Sequence, residues 1–234
     1  ISGFVFGEDA SVLSALPVVT TAATIASPVG DYATVASGGA AVNYVFAYVD
    51  GVLSVVPAGL IVTADPQAKV YGDGDPELTF AVAGLAPGDT VEGVLSGVLA
   101  RDAGEDVGSY AITQGSLAAN PNYTLTFVGS FLTITPALLS VVADDLGKIY
   151  GDGDPELTFV ASGFRFADTA ETVLSGALAR APGENVGSYA ITQGSLTANP
   201  NYVLSFTGAD LVIDPALLVV TAPTLSLTFG QDNP

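Results

Sequence analysis

Apolar and polar residues alternate through most of the chain, in short runs broken by Gly, Pro, Asn and Asp. A period of two places successive side chains on opposite faces of a strand. It predicts strands at LIVTA (60–64), ELTFAVAG (77–84), GSYAITQGSL (108–117), YTLTFV (123–128) and FLTITP (131–136). Only Gly129-Ser130 separates the last two runs, the pattern of a tight β-hairpin. Asp50-Gly51 and Gly208-Ala209 stand at the same point in neighbouring stretches, and Asp-Gly suits a type I′ turn. Between Asp89 and Leu99 the pattern fits a short helical turn. Strands at this spacing predict an all-β chain of small immunoglobulin-like β-sandwiches, with a β-grasp-like mixed sheet as the alternative. The Val-Gly-x-Tyr element at 107–110 and 186–189 also resembles the tyrosine corner of such sandwiches.

The pattern repeats. YGDGDPELTF begins at Tyr71 and again at Tyr150, and GSYAITQGSL at Gly108 and again at Gly187; both offsets are 79 residues. Residues 58–136 and 137–215 are two copies of one unit, identical at about two-thirds of aligned positions. NYVFAYVDGVLSVVPA (43–58) aligns with NYTLTFVGSFLTITPA (122–137), so 1–57 reads as the rear part of a diverged repeat. ALLVVTAPTLSLTFGQDNP (216–234) restates 137–155 and reads as the opening strands of a further repeat, with Phe229 in the tyrosine position. The sequence therefore reads as an excerpt of a longer array. Pro-Ala at 57–58, 136–137 and 215–216 leaves little linker, which predicts an elongated array in which each repeat meets mainly its neighbours.

Composition narrows the function. Twenty-four acidic residues against five basic ones give a net charge of −19. Such a surface repels phosphate backbones and anionic leaflets, so neither nucleic acid nor direct membrane insertion is expected. No apolar run is long enough to span a bilayer, and the first residues lack the basic start of a signal peptide, so an export signal is expected outside this stretch. Cys and His are absent, which removes zinc sites, Cys-His chemistry and a Ser-His-Asp triad.

In the order and spacing of LxVTA, YGDGDPELTF, AGLAPGDT (83–90), VGSYAITQGSL, NPNY and LTITPA, the chain resembles the MBG (mostly-β, glycine-rich) repeats of very large bacterial surface proteins, including filamentous-haemagglutinin-like adhesins. The resemblance implies an exported, extracellular or surface-bound stalk or matrix protein, and carries no receptor with it.

Candidate chemistry is sparse. Asp73, Asp75 and Glu77, with Asp152, Asp154 and Glu156 one repeat on, place carboxylates two apart and could offer oxygens to calcium. The competing reading is a solvated Asp-Gly-Pro turn. Glu77, Asp89, Glu92 and Glu105 could form a glycosidase pair, but catalytic pairs are seldom copied in every repeat, and the chain reads as non-enzymatic. Lys69 and Lys148, at equivalent positions, are either edge-protecting lysines or partners for a cross-link to Asn or Asp. Tyr71, Tyr110, Tyr123, Tyr150, Tyr189 and Tyr202 are either core-rim residues or a carbohydrate-stacking platform. Arg101 and Arg180 are expected to pair with Glu105 and Glu184. The leading function is thus a passive stalk. The alternatives are a matrix filament, in which 216–234 of one chain completes 1–57 of the next by strand addition, and a carbohydrate-binding module.

Overall fold

The computed structural model describes residues 1–232, which fold almost entirely into strands and turns. In the third repeat the strands are β1 (Ala137–Ala143), β2 (Leu146–Ile149), β3 (Phe159–Ser162), β4 (Leu174–Ser175), β5 (Ala179–Arg180), β6 (Gly187–Thr192), β7 (Thr197–Ala198), β8 (Tyr202–Thr207) and β9 (Ala209–Asp214). A one-turn helix, α1 (Ala170–Val173), precedes β4 where a helical turn was expected. One sheet runs β3-β1-β8 and a second runs β2-β9-β6-β5, while β4 and β7 pair separately.

Alternation decides which side chains are buried. Along β1, Ala137, Leu139, Val141 and Ala143 point inward and are buried, while Leu138 and Val142 are exposed. Ala143 from one sheet meets Ile191 and Leu211 from the other, with Leu146, Leu157, Leu178 and Phe206 packed around them. Each complete repeat is therefore a two-layer β-sandwich. Its pairing, however, is that of the mixed-sheet alternative rather than an antiparallel immunoglobulin-like one. β1 runs parallel to β8 (Ala137 beside Tyr202), and β2 parallel to β9 (Leu146 beside Leu211). Parallel pairs need long crossovers, and here the first two strands of a repeat pair with its last two. Periodicity reports which face a residue occupies and is silent on strand direction.

The expected hairpin is absent. β8 and β9 are consecutive, yet they lie in different sheets, so the chain crosses layers at Gly208. A type I′ turn needs positive φ at both central residues, and neither Gly129 nor Gly208 has it. Their glycine is explained by close approach: a Cβ would stand 3.0 Å from the Ile112 carbonyl oxygen at Gly129, and 2.8 Å from that of Ile191 at Gly208.

The second repeat has the same elements, each 79 residues earlier, from Ala58–Ala64 to Ser130–Thr135. Its opening strand is parallel to Tyr123–Val128 in the same register, Ala58 beside Tyr123. Val62, Ile112, Leu117 and Leu132 form its core. The first repeat keeps one sheet, of strands Leu13–Thr21, Gly30–Ala41 and Gly51–Val55. There Tyr32 faces Leu53 as Tyr189 faces Leu211 in the third repeat. Residues 44–49 form no strand.

The opening strands expected at 216–234 are likewise not formed over 216–232, and the final two positions of that stretch, 233 and 234, lie outside the described residues. In complete repeats the opening strand pairs with a strand 65 residues later, Ala137 beside Tyr202.

The chain divides into two compact units. The first holds 1–67, 76–104 and 109–133; the second holds 68–75, 105–108 and everything from 134. The Tyr71 loop of the second repeat thus belongs with the third repeat.

Candidate functional site: the joint between repeats

Within the second unit, residues of the second repeat lock into the third. Tyr71 is buried, and its N–H donates to the Thr135 carbonyl at 2.8 Å. Its ring packs edge-on against Phe166 (5.3 Å between centroids) and Tyr202 (5.4 Å). Aromatic pairs favour this geometry because ring edges are positive and faces negative. Both hydroxyls converge on one carboxylate: Tyr71 donates to Asp168 Oδ2 at 3.0 Å, and Tyr202 at 2.6 Å. Tyr202 also accepts from the Arg165 N–H at 2.8 Å. Burial, then the neighbouring Asp168 carboxylate, pushes the Tyr202 hydroxyl up to about 12 and raises that of Tyr71. Phe166 has a left-handed φ of 51°, uncommon for a bulky residue, at the turn that presents its ring to Tyr71.

A second contact flanks the first. Asn201, from the NPNY turn, accepts from the Val107 N–H at 2.9 Å and donates to the Asp106 carboxylate at 2.9 Å. Its backbone carbonyl accepts from Ala137 N–H, tying the Pro-Ala linker to the same residue. The first unit builds the matching joint between the first and second repeats. Asn122 accepts from Val29 N–H at 2.9 Å, and its carbonyl from Ala58 N–H at 3.0 Å. Tyr123 donates to Asp89 and accepts from the Ala86 N–H, as Tyr202 does with Asp168 and Arg165. A cavity of about 220 Å3, lined in part by Val29, Val55, Pro87, Asp89 and Tyr123, occupies the place that the Tyr71 ring fills one repeat on.

Charge is organised beside the joint. Lys148 is 9% exposed, so the reading of an exposed edge-protecting lysine is corrected. It sits at the end of β2, where the sheet carries its stem inward, and its ammonium meets Asp154 (2.7 Å) and Glu184 (2.6 Å). Arg180 binds the same two carboxylates at 2.7 and 2.5 Å, confirming the expected Arg180–Glu184 pair. The guanidinium lies 5.6 Å over the Tyr189 ring, and Tyr189 donates to the Asn185 carbonyl at 2.8 Å, a bond of the tyrosine-corner type. Tyr32 repeats that bond with Pro28. Lys69 reproduces the lysine site, with Asp75 at 2.7 Å and Glu105 at 2.5 Å. Arg180, then Lys148, holds the Asp154 carboxyl down to about 2, and Asp154 with Glu184 raises Lys148. Both lysines meet carboxylates, and the cluster is an ion-pair network.

The candidate calcium ligands are spread among these contacts. Asp75 and Asp154 are turned onto lysines, Asp73 lies 3.4 Å from Arg165, and the Asp152 carbonyl accepts from Lys148. Glu77 and Glu156 stand outside the lysine pairs. Among the described residues no three carboxylates gather as a metal-holding group. The tyrosines do not form one platform: Tyr71, Tyr123 and Tyr202 are buried in joints, Tyr110 and Tyr189 lie under arginines, and Tyr150 is exposed. Sequence reasoning missed the joint role of Asn122, Asn201 and Asp168. The available signal was the second Asn of NPNY, which stands before a tyrosine at 43, 122 and 201.

The model of the MBG domain (YGX type) family matches residues 1–54, 60–133 and 139–212. The chain belongs to the MBG family. Its Tyr-Gly steps at 71–72 and 150–151 open the loops that follow β2 in each complete MBG repeat. No curated protein matches the sequence. The MBG assignment and the all-β repeat fold fit a non-catalytic structural segment.

Proposed function

We propose that this MBG segment is a structural spacer in the stalk of an exported bacterial surface protein of the adhesin kind, outside the cell. The observation that carries this reading is the duplicated joint. The same asparagine position accepts the same valine N–H across both repeat boundaries, Val29 to Asn122 and Val107 to Asn201. A joint copied at each boundary fixes the angle between successive repeats, which is what a spacer must do and what a single binding site does not require. The acidic surface keeps neighbouring stalks apart and in solution. Membership of the family and resemblance to adhesin repeats support the surface assignment. No helix among the described residues is long and apolar enough to cross a membrane.

Small-angle scattering of the chain and of an N122A/N201A variant tests the reading. A spacer loses its maximum dimension, or broadens its distance distribution, when both joints are cut. Identical scattering curves for the two proteins would count against it.

A further inference from the structure

The two complete repeats hold a turn by equivalent tyrosines and then bend it in opposite senses. In the second repeat the Asp89 N–H donates to the Ala86 carbonyl at 3.1 Å, and in the third the Asp168 N–H donates to that of Arg165 at 3.0 Å. The ends of both turns are fixed alike. The tyrosine hydroxyl accepts from the N–H of the first residue, Ala86 or Arg165, and donates to the aspartate at the fourth. The conformations part at the two central residues. Pro87-Gly88 has its left-handed residue second, Gly88 at φ +95°, the pattern of a type II turn. Phe166-Ala167 has it first, Phe166 at φ +51°, the pattern of the mirror-image type II′ turn, which ordinarily takes glycine there. The proline ring holds φ negative, so the Pro87 turn cannot adopt the Phe166 conformation. A bulky side chain in the left-handed region is strained, and such positions persist where a contact depends on them.

That contact is with the loop arriving from the second repeat. The Phe166 ring meets the Tyr71 ring edge-on at 5.3 Å. The Arg165 stem lies against Gly72: a Cβ there would stand 2.5 Å from Arg165 Cβ and 2.6 Å from its Cγ, and Gly72 itself has φ +85°. The Arg165 guanidinium reaches Asp73, 3.4 Å away. Two neighbouring residues of one turn thus meet three successive residues of the incoming loop, an aromatic, a glycine and an acid. Ala86 and Pro87 bring neither a ring nor a cation to the same positions. We infer that the turn at 165–168 is a selectivity element, and that Arg165 and Phe166 fit the third repeat to a preceding repeat with a Tyr-Gly-Asp loop. The joint then has a common part, the asparagine–valine bonds built at both boundaries, and a part particular to one boundary. Within the particular part the ring pair outweighs the ion pair, because Arg165 and Asp73 are 43% and 47% exposed and solvent screens them. Repeats with oppositely bent turns are therefore not interchangeable in order. The inference goes beyond the spacer reading, which stands on the asparagine bonds and survives if the two turns prove interchangeable.

The variant R165A/F166P/A167G tests it by writing the turn of the second repeat into the third, on tyrosine contacts that already hold such a turn at 86–89. Tyr71→Ala is made in the native chain and in this swapped background. Its melting temperature is expected to fall by several degrees more in the native chain, because a fitted turn couples the two sites. Hydrogen exchange at Val107 is expected to stay slow in the swapped chain, since Asn201 is untouched. F166G keeps the test open should the swapped chain fail to fold, as it relieves the left-handed strain while removing the ring. In F166G the Tyr71 amide, bonded to the Thr135 carbonyl, is expected to exchange several-fold faster than in the native chain. Equal losses for Tyr71→Ala in the two backgrounds overturn the inference. So does a Tyr71 amide that F166G leaves as slow as before, or a swapped chain that loses Val107 protection too, since the joint would then have no separable selective part.

Discussion

Val107 donates its backbone N–H to the side-chain oxygen of Asn201 across 2.9 Å and 94 residues of sequence. The bond crosses a repeat boundary, and its counterpart from Val29 to Asn122 crosses the one before. Asn201→Ala removes this bond and the one to Asp106, leaving a part-buried N–H without its acceptor. The expected loss is roughly 1–3 kcal/mol. Denaturant unfolding checks it, and Asn201→Asp should fare little better, because its carboxylate faces Asp106.

The paired hydroxyls of Tyr71 and Tyr202 make the joint sensitive to alkali. Folded Tyr202 is raised to about 12 from an ordinary value of 10.0. A raised folded pKa favours the protonated form, so its stabilising contribution is complete below pH 10 and lost as pH climbs towards 12. Tyr202→Phe should flatten that alkaline limb of the stability curve. It should also cost about 1 kcal/mol near neutral pH for the lost hydroxyl bonds. Thermal unfolding of both proteins at a series of pH values reads both effects.

Acid acts on the lysine–arginine cluster with the opposite sign. Asp154 is held down to about 2 from 3.8, and Glu184 is lowered as well. Depressed carboxyls stabilise the fold above their unfolded pKa and stop doing so as pH falls through the folded value, here from about 4 to about 2. Lys148→Gln should shrink this acid-dependent loss relative to the native chain. Urea midpoints for the two proteins between pH 5 and pH 2 check it. Comparing the pair cancels most of the relief from general charge repulsion that acid brings to so acidic a chain.

Gly183 is fixed by contact with Tyr189. Its φ is +145°, and a Cβ there would lie 2.1 Å from Tyr189 Cε1. Gly183→Ala must displace the ring that Arg180 covers, and should destabilise by more than about 1 kcal/mol. Gly153, which has open space around it, serves as the control: Gly153→Ala should be nearly neutral in the same thermal scan.

Calcium offers a further check on the acidic loops. With Asp75 and Asp154 engaged by lysines, chelation should leave the melting temperature unchanged, and calcium should act no differently from magnesium at equal ionic strength. A rise specific to calcium would restore the metal reading for the Asp73 and Asp152 loops.

The inward face of β1 was readable in LLSVVA, because alternation alone assigns Leu139 and Val141 to the core. Parallel pairing was not, since Ala137 and Tyr202 are 65 residues apart and nothing local records the direction of a distant partner. Gly208 misled for a related reason. Two alternating runs around a glycine read as a hairpin, while the glycine in fact lets the chain pass the Ile191 carbonyl and change layers. At the candidate site, Arg180–Glu184 was visible as a local i,i+4 pair. The burial of Lys148 depended on Asp154 and Glu184 arriving from two different loops. Asn201 belonged to NPNY, a motif visible in the sequence, and it makes a local bond as well, from Asn201 N–H to the Asn199 side chain. The tie to Val107 appeared only once two repeats were placed together.

Amide hydrogen exchange at Val29 and Val107 tests the duplicated joint most directly, in the native chain and in N122A/N201A. The joint predicts slowed exchange at both amides in the native chain. In the variant both should be released, while buried β1 amides such as Leu139 stay protected. Native exchange at Val29 and Val107 as fast as in an open loop would contradict it.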